Sequence, residues 1–135
     1  MSINLKILRT AAVFGFLSVA VGAFAAHGLK NILPPERILI FETGVRYQYY
    51  HTFALLAVAM LSAHFSDNLI KIAVRCFTIG IFLFSGSLYL LALRDVLGIA
   101  DWWFLGPLTP IGGVFFMAGW GSLIALSFRN AEKKI

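Results

Sequence analysis

Three long apolar stretches without a charged residue constrain this chain more than any other feature. They cover residues 10–29, 76–93 and 110–128, which are 20, 18 and 19 residues long. A helix needs about 20 apolar residues to cross the hydrocarbon core of a bilayer, and a segment in lipid must be helical so that its backbone groups bond within the segment. The three stretches therefore predict membrane-spanning helices.

The composition supports the same class of protein. Hydrophobic residues make up 60% of the 135 residues and charged residues 13%, against about 45–50% and 25% in soluble domains. The net charge is +5, but the basic residues lie beside the apolar stretches, so we expect a lipid bilayer and no nucleic acid as partner. Cys76 is the single cysteine, and no Cys/His spacing is typical of a metal site. We therefore predict no metal and no cofactor.

The second helix must be assembled from a polar stretch and a short apolar one, because the apolar block Phe53–Phe65 has only 13 residues. Pro34-Pro35 favours a helix start, and a helix from there to Phe65 would be about 46 Å long. Such a helix must tilt, bend near Gly44 or begin along the interface. The predicted fold is all-α, an integral membrane four-helix bundle with short loops and an amphipathic or tilted lead-in to helix 2. The predicted helices of this single domain, residues 1–135, are about 10–29, about 35–65 with its membrane part at 47–65, about 72–93 and about 110–128.

Small residues recur on three of the predicted helices. The basic residues Lys6 and Arg9, the apolar stretch and Ala23-Phe24-Ala25 also imitate a secretory signal. We favour a retained first helix, because its small residues repeat every three or four positions and such a stripe lets membrane helices pack closely. The predicted packing positions are Gly15, Gly22, Gly80, Ser87, Gly112 and Gly119.

The charges are distributed unevenly between the two sides of the predicted bundle. Four spans put both termini on one side, with Lys6, Arg9, Lys71, Arg75, Arg129, Lys133 and Lys134 against Asp67 and Glu132, which gives 7 − 2 = +5. The other side has four basic and four acidic residues, which gives 4 − 4 = 0. The positive-inside rule then places both termini in the cytoplasm. The tyrosines at positions 47, 49 and 50 are expected at the opposite interface.

Phe41–His51 is the polar stretch that leads into the second apolar block. Glu42 and Arg46 lie four residues apart, so they can pair on a helix, whereas His51 lies about 180° around the helix from Glu42. Polar residues near the outer ends of helices 1 and 3 are expected at a similar depth. The predicted polar cluster near the outer interface comprises Glu42, Arg46, Tyr50, His51, His27, Tyr89 and Arg94.

Two functional interpretations of this cluster stay open. It can neutralise its own charges and fasten helix 2 to its neighbours, or it can relay protons or ions, because carboxylate and imidazole groups in membranes serve pumps and transporters. No Ser-His-Asp order, phosphate-binding loop or pair of carboxylates is present, so we predict no catalytic residues and no enzyme. Our first hypothesis is a structural, assembly or accessory subunit that binds another membrane protein or copies of itself. The alternative is a small transporter or channel subunit.

Several motifs resemble one family of small bacterial inner-membrane proteins. They are residues 22–29 (GAFAAHGL), 41–51 (FETGVRYQYYH), 83–89 (LFSGSLY), 109–113 (TPIGG) and 119–120 (GW). The family is the domain of unknown function 423, which is related to the eukaryotic transmembrane protein 256, and the resemblance covers nearly the whole chain in order. Ala25 and Tyr49 depart from its usual Gly and Met. The resemblance implies a four-helix protein of the bacterial inner membrane with an uncleaved first helix, and it implies no activity.

Overall fold

A computed structural model describes residues 2–66 and 68–131, which form four helices and, within these ranges, no strand. The helices are α1 (Leu5–Leu29), α2 (Pro35–Leu61), α3 (Asn68–Leu93) and α4 (Leu105–Ala131). Each helix packs against the next one along the chain, and short connections make such neighbours antiparallel. The protein is an all-α, integral membrane four-helix bundle.

Local interactions explain where α1 and α2 begin. The Asn4 side chain accepts hydrogen bonds from the backbone N–H groups of Lys6 and Ile7 at 3.0 and 3.4 Å, which satisfies two of the unpaired donors at the start of α1. Pro34 caps α2 and Pro35 occupies its first turn, where a proline loses no backbone bond. Both helix starts are therefore encoded locally.

α2 ends at Leu61, four residues before the expected end at Phe65. The backbone N–H groups of Ala63 and His64 bond to carbonyls three residues earlier, at 3.2 and 2.9 Å, so the last turn tightens and the helix stops. The Ser62 hydroxyl donates to the Ala59 carbonyl at 2.6 Å and accepts from the Asn4 N–H at 3.0 Å. The end of α2 is thus fastened to the start of α1.

α4 begins at Leu105, five residues before Pro110, where the sequence analysis expected it. Pro107 lies in the first turn, where backbone N–H groups have no partner within the helix, so it is accommodated without loss. Pro110 then lies inside the helix at the cost of a single backbone bond. The two prolines therefore shape the beginning of α4 without delaying it.

α1, α3 and α4 are long and apolar enough to cross a membrane by themselves, whereas α2 is long enough but not sufficiently apolar. α2 nevertheless lies along its neighbours over its whole length. At one end the Asn4 N–H meets Ser62 Oγ, and at the other Arg37 Nη2 lies 2.9 Å from Asp95 Oδ2 at the end of α3. α2 therefore runs antiparallel to α1 and α3 and extends along both of them.

The apolar core consists of two separate clusters. The larger one lies toward the termini and contains residues of all four helices, among them Phe14, Leu55, Phe77 and Phe116. The smaller one lies toward the opposite end and contains Ala25, Leu29, Leu33, Phe41, Val45 and Ala92. On α1, α2 and α3 alike, polar residues occupy the positions between the two clusters.

Candidate functional site

Six buried polar side chains separate the two apolar clusters. We call them the polar layer: Ser18, Gln48, His51, Thr52, Ser85 and Ser87. Gln48, at the middle of α2, is only 4% exposed, and Ser18 and Ser85 are fully buried. An unpaired polar group in such surroundings costs roughly 1–3 kcal/mol, so its hydrogen-bond partners determine what the layer does.

Gln48 connects three helices. Its Oε1 accepts a hydrogen bond from the Tyr89 hydroxyl of α3 at 2.7 Å, and its Nε2 donates to the Phe14 carbonyl of α1 at 3.2 Å. The same carbonyl accepts from the Ser18 hydroxyl at 2.7 Å. Tyr89 is held in addition by Phe41, whose ring centroid lies 4.6 Å away. The amide of Gln48 thus ties both α1 and α3 to α2.

The serines of α3 face two different helices. α3 contains a π-helical turn over Ile81–Ser85, a local widening that changes the direction of the side chains after it. Ser85 Oγ donates to the Gly44 carbonyl of α2 at 2.7 Å. Ser87 Oγ lies 2.6 Å from Thr109 Oγ1 of α4. The polar layer therefore continues from α2 through α3 to α4.

His51 occupies a pocket of aromatic rings. Its imidazole is 5% exposed and stacks on Phe116 of α4, with centroids 3.4 Å apart and planes inclined by 4°. Phe77 of α3 lies 5.6 Å away and Trp120 of α4 6.3 Å away. The imidazole of His51 thus brings α2 into direct contact with α4.

Both ring nitrogens of His51 have a partner. Nδ1 lies 2.8 Å from the Tyr47 carbonyl, which can only accept, so Nδ1 carries a hydrogen. Trp120 Nε1 can only donate, and it lies 3.3 Å from Nε2, so Nε2 presents its lone pair. The surroundings therefore match the neutral imidazole with its proton on Nδ1. Protonation of Nε2 would direct two N–H groups at each other.

The predicted polar cluster does not form one network. His51 and Tyr89 belong to the interior contacts, whereas Tyr50, Arg46 and His27 are exposed and Glu42 and Arg94 are half-buried. Within the described ranges, Glu42 and Arg46 form no ion pair; Arg46 Nη2 donates instead to the Thr43 hydroxyl at 3.1 Å.

The charged pairing occurs instead at the end of the bundle that lies away from the termini. Arg37 binds Asp95 and also donates to the Leu91 carbonyl at 2.9 Å. Arg94 Nε lies 3.6 Å from the other carboxylate oxygen of Asp95. This group fastens the start of α2 to the end of α3.

The position of the polar stretch differs from the expected outer interface. At 1.5 Å per residue, Arg37 and Ser62, which mark the two ends of α2, lie about 38 Å apart. Phe53–Leu61, the apolar part of the helix, accounts for only about 14 Å of that length. The stretch 41–51 consequently lies in the middle of the bundle. The sequence analysis expected this stretch at the outer interface because it took residues 35–46 as a lead-in to the membrane part; Phe41 and Val45 instead pack in one cluster with Ala25 and Leu29 of α1 and Ala92 of α3.

The six predicted packing residues all face a neighbouring helix. Gly80 lies against the ring of Phe116, Gly112 against the backbone of Phe84 and Gly119 against the ring of Phe77, so that a Cβ at any of the three would collide. A Cβ at Gly15 would lie 3.5 Å from the Thr52 side chain, and a Cβ at Gly22 would lie 3.4 Å from the Val45 side chain, which are ordinary contact distances. Ser87 binds Thr109. The contact of α3 with α4 is thus closer than that of α1 with α2.

Sequence reasoning missed Gln48, Ser85, Thr109 and Trp120 as members of the interior network. For Gln48 a signal was present: it lies seven residues after Phe41 and seven before Leu55, so it shares the core-facing side of α2 with two buried apolar residues. The roles of Ser85 and Trp120 depend on the π-helical turn and on the register of α4. No local pattern encodes either of these.

The sequence is similar to those of one family of membrane proteins. The model of the family described as Protein of unknown function (DUF423) matches residues 21–113. A UPF0382 membrane protein of Haemophilus influenzae is 45% identical over 93% of this chain and 95% of its own length. The UPF0382 inner membrane protein YgdD of Escherichia coli is 39% identical over 93% and 91%, and YwdK of Bacillus subtilis is 35% identical over 87% and 92%. No solved structure matches significantly. The chain therefore belongs to the DUF423 family of membrane proteins, whose function is unknown.

Proposed function

We propose that this protein is a structural or accessory subunit of a complex in the bacterial inner membrane. One observation carries the proposal: the polar side chains that reach a second helix are committed to groups of the bundle itself. Gln48 is bound to Tyr89 and to α1, Ser85 to α2, and His51 to Trp120. Groups paired in this way hold helices together, since breaking a buried pair leaves a polar atom without a partner.

The same contacts argue against a transport subunit that uses Glu42 and His51. A relay needs titratable groups that exchange protons with each other. Residues nine positions apart project from opposite sides of a helix, so Glu42 and His51 are separated by the backbone of α2. Both nitrogens of His51 are already occupied. A proton path through these two residues would have to break the contacts that position the imidazole.

We further propose that both termini face the cytoplasm. The end of the bundle at which Asn4 meets Ser62 also carries Lys6, Arg9, Lys71, Arg75 and Arg129, and an excess of basic residues marks the cytoplasmic side. Asp67, Glu132, Lys133 and Lys134, which entered the charge count, lie outside the described residues. A reporter fused after Ile135 should be active only in the cytoplasm, and activity in the periplasm would overturn this orientation.

The test of the proposed function compares assembly with transport. A C-terminally tagged copy is purified from its native membrane in mild detergent, and proteins that accompany it stoichiometrically are identified by mass spectrometry. The protein is also reconstituted into liposomes that contain a pH-sensitive dye. We expect a defined membrane-protein companion and a proton flux equal to that of protein-free liposomes. A flux above that background that Glu42→Gln or His51→Asn abolishes at unchanged folded yield would overturn the proposal.

A further inference from the structure

The outward side of α2 carries a stripe with regular spacing. Its members recur alternately three and four residues apart and are all exposed or half-buried. We call them the outer stripe: Leu39, Glu42, Arg46, Tyr49, Phe53, Leu56 and Met60. Leu39, Phe53 and Met60 are 59%, 63% and 60% exposed. This spacing is the heptad pattern by which one helix packs along another.

Two charged residues of the outer stripe lie within the depth of the hydrocarbon core. The midpoint between Arg37 and Ser62 falls near residue 49, so Arg46 lies about 5 Å and Glu42 about 11 Å from the centre of the span. The hydrocarbon core reaches about 15 Å from that centre. An Arg at such a depth costs roughly 2.5–3.5 kcal/mol or more when it faces lipid. Within residues 2–66 and 68–131, neither Glu42 nor Arg46 has an ion-pair partner.

We propose that a second copy of this chain covers the outer stripe, so that two α2 helices pack side by side as a parallel dimer. This inference rests on the proposed function, because it treats the bundle as a protein that binds other membrane segments. Two copies inserted with the same orientation are related by a two-fold axis along the membrane normal, which aligns equal positions of the two stripes. Arg46 of one copy then lies one helical turn from Glu42 of the other. The interface then contains two ion pairs, in which each of the four charges is neutralised once.

The charge order of the stripe selects a second copy over an unrelated helix. Across the two-fold axis each residue lies beside its own copy, so Glu42 and Arg46, which have opposite charges and are neighbours on the same side of α2, meet the opposite charge of the other copy one turn along the helix, within reach of the long Arg46 side chain. The weak hydropathy of α2 has the same explanation, because a helix covered on a third side needs fewer lipid-facing apolar residues.

A groove beside the stripe provides room for the partner's large side chains. It lies between α1 and α2, has a volume of about 280 Å³ and is lined by Leu8, Ala11, Ala12, Gly15, Thr52, Phe53 and Leu56. Small residues let helices approach closely in membranes. Phe53 of the second copy, whose ring projects from the stripe, lies next to this groove in the two-fold arrangement.

Cysteine cross-linking in native membranes tests the dimer directly. Cys76, the native cysteine, is first replaced by Ala. Phe53→Cys and Met60→Cys are then introduced on the stripe, with Phe16→Cys on α1 and Met117→Cys on α4 as equally exposed controls at 75% and 67%. We expect oxidation to form disulfide-linked dimers at the two stripe positions and not at the controls. Equal cross-linking at all four positions, or none at the stripe, would overturn the proposal.

Charge reversal tests the role of Glu42 and Arg46. In the Phe53→Cys background, Glu42→Arg places four cations in the interface, and we expect the cross-linked fraction to fall about tenfold, which corresponds to 1.4 kcal/mol. Glu42→Arg combined with Arg46→Glu restores both pairs in the opposite order and should restore the cross-link. Failure of this rescue, with the helical circular dichroism of all variants unchanged, would exclude the paired charges. If a different protein cross-links to the stripe instead of a second copy, the dimer is excluded while the proposed subunit function stands.

Discussion

The two sides of α2 carry polar residues at the same depth, but those on the inner side bond to other helices whereas, in the described part of the chain, those on the outer side do not. On the inner side, Gln48 and His51 are almost fully buried; Gln48 bonds to α1 and α3, and His51 bonds to Trp120 of α4 as well as to the Tyr47 carbonyl of its own helix. On the outer side, Arg46 is exposed, and within residues 2–66 and 68–131 its side chain bonds to Thr43, one turn away on its own helix. Depth in the membrane therefore does not distinguish the two sets. The partners that each side chain finds within the chain do.

This difference separates side chains that stabilise the bundle from side chains that are available for association with another protein. Side chains whose partners lie in neighbouring helices stabilise the bundle, so their loss should unfold it. Side chains whose charges stay unpaired add little to the stability of one chain, so their change should affect association alone. Single substitutions can distinguish the two groups of side chains.

The largest effect is expected from Gly44→Ala, on the inner side of α2. A Cβ at this position would lie 2.8 Å from the Tyr89 ring and 3.2 Å from the Ser85 carbonyl, and Tyr89 cannot retreat without leaving Phe41 and Gln48. We expect a loss of about 3 kcal/mol in the free energy of unfolding, measured by circular dichroism in mild detergent. Gly121→Ala is the matched control, since nothing lies within 4 Å of its Cβ position. Equal stability of the two variants would contradict the close packing of α2 on α3.

Gln48→Leu should cost somewhat less, about 2 kcal/mol, because it removes both hydrogen bonds of the amide and leaves the Tyr89 hydroxyl without its acceptor. The readout is again the free energy of unfolding. Tyr50→Phe serves as control, since Tyr50 is 57% exposed and its ring is kept. A Gln48 variant as stable as the wild type would show that the polar layer does not hold the helices together.

Trp120→Phe should lower the free energy of unfolding by about 1 kcal/mol, the net value of one hydrogen bond. The new ring can keep the edge contact with Phe77 but donates nothing to His51 Nε2. The control is the same substitution in a His51→Phe background, where there is no acceptor to lose. If both backgrounds lose the same stability, the effect arises from packing and the bond to His51 contributes nothing.

Much of the fold could be predicted because lipid restricts what a chain can do. Uncharged stretches of spanning length identified three of the helices, and Pro34-Pro35 indicated the start of the fourth. The end of α2 could not be foreseen, because it depends on the contact of Ser62 with Asn4, 58 residues apart along the chain. That difference moves the midpoint of α2 from residue 50 to residue 48, closer to the polar stretch.

The candidate site was predictable only in part, for a related reason. The stretch Phe41–His51 was recognisable as unusual, yet helical spacing alone favoured Glu42 with Arg46 and gave no sign of Gln48 with Tyr89. Gln48 and Ser85 donate to main-chain carbonyls in other helices, and Gln48 accepts from the hydroxyl of Tyr89, 41 residues away. Partners of this kind follow from the register between helices, which a single sequence does not specify.

The most direct test of the account measures stability and association on the same two variants. Gln48→Leu and Arg46→Leu remove one polar side chain each from the inner and the outer side of α2 at nearly the same depth. Each is made with Phe53→Cys in the Cys76→Ala background. We expect Gln48→Leu to lower the free energy of unfolding by about 2 kcal/mol, whereas Arg46→Leu should leave the stability of the single chain unchanged and lower the cross-linked fraction by somewhat less than the roughly tenfold expected for Glu42→Arg. A destabilised Arg46 variant beside an unaffected Gln48 variant would contradict this expectation.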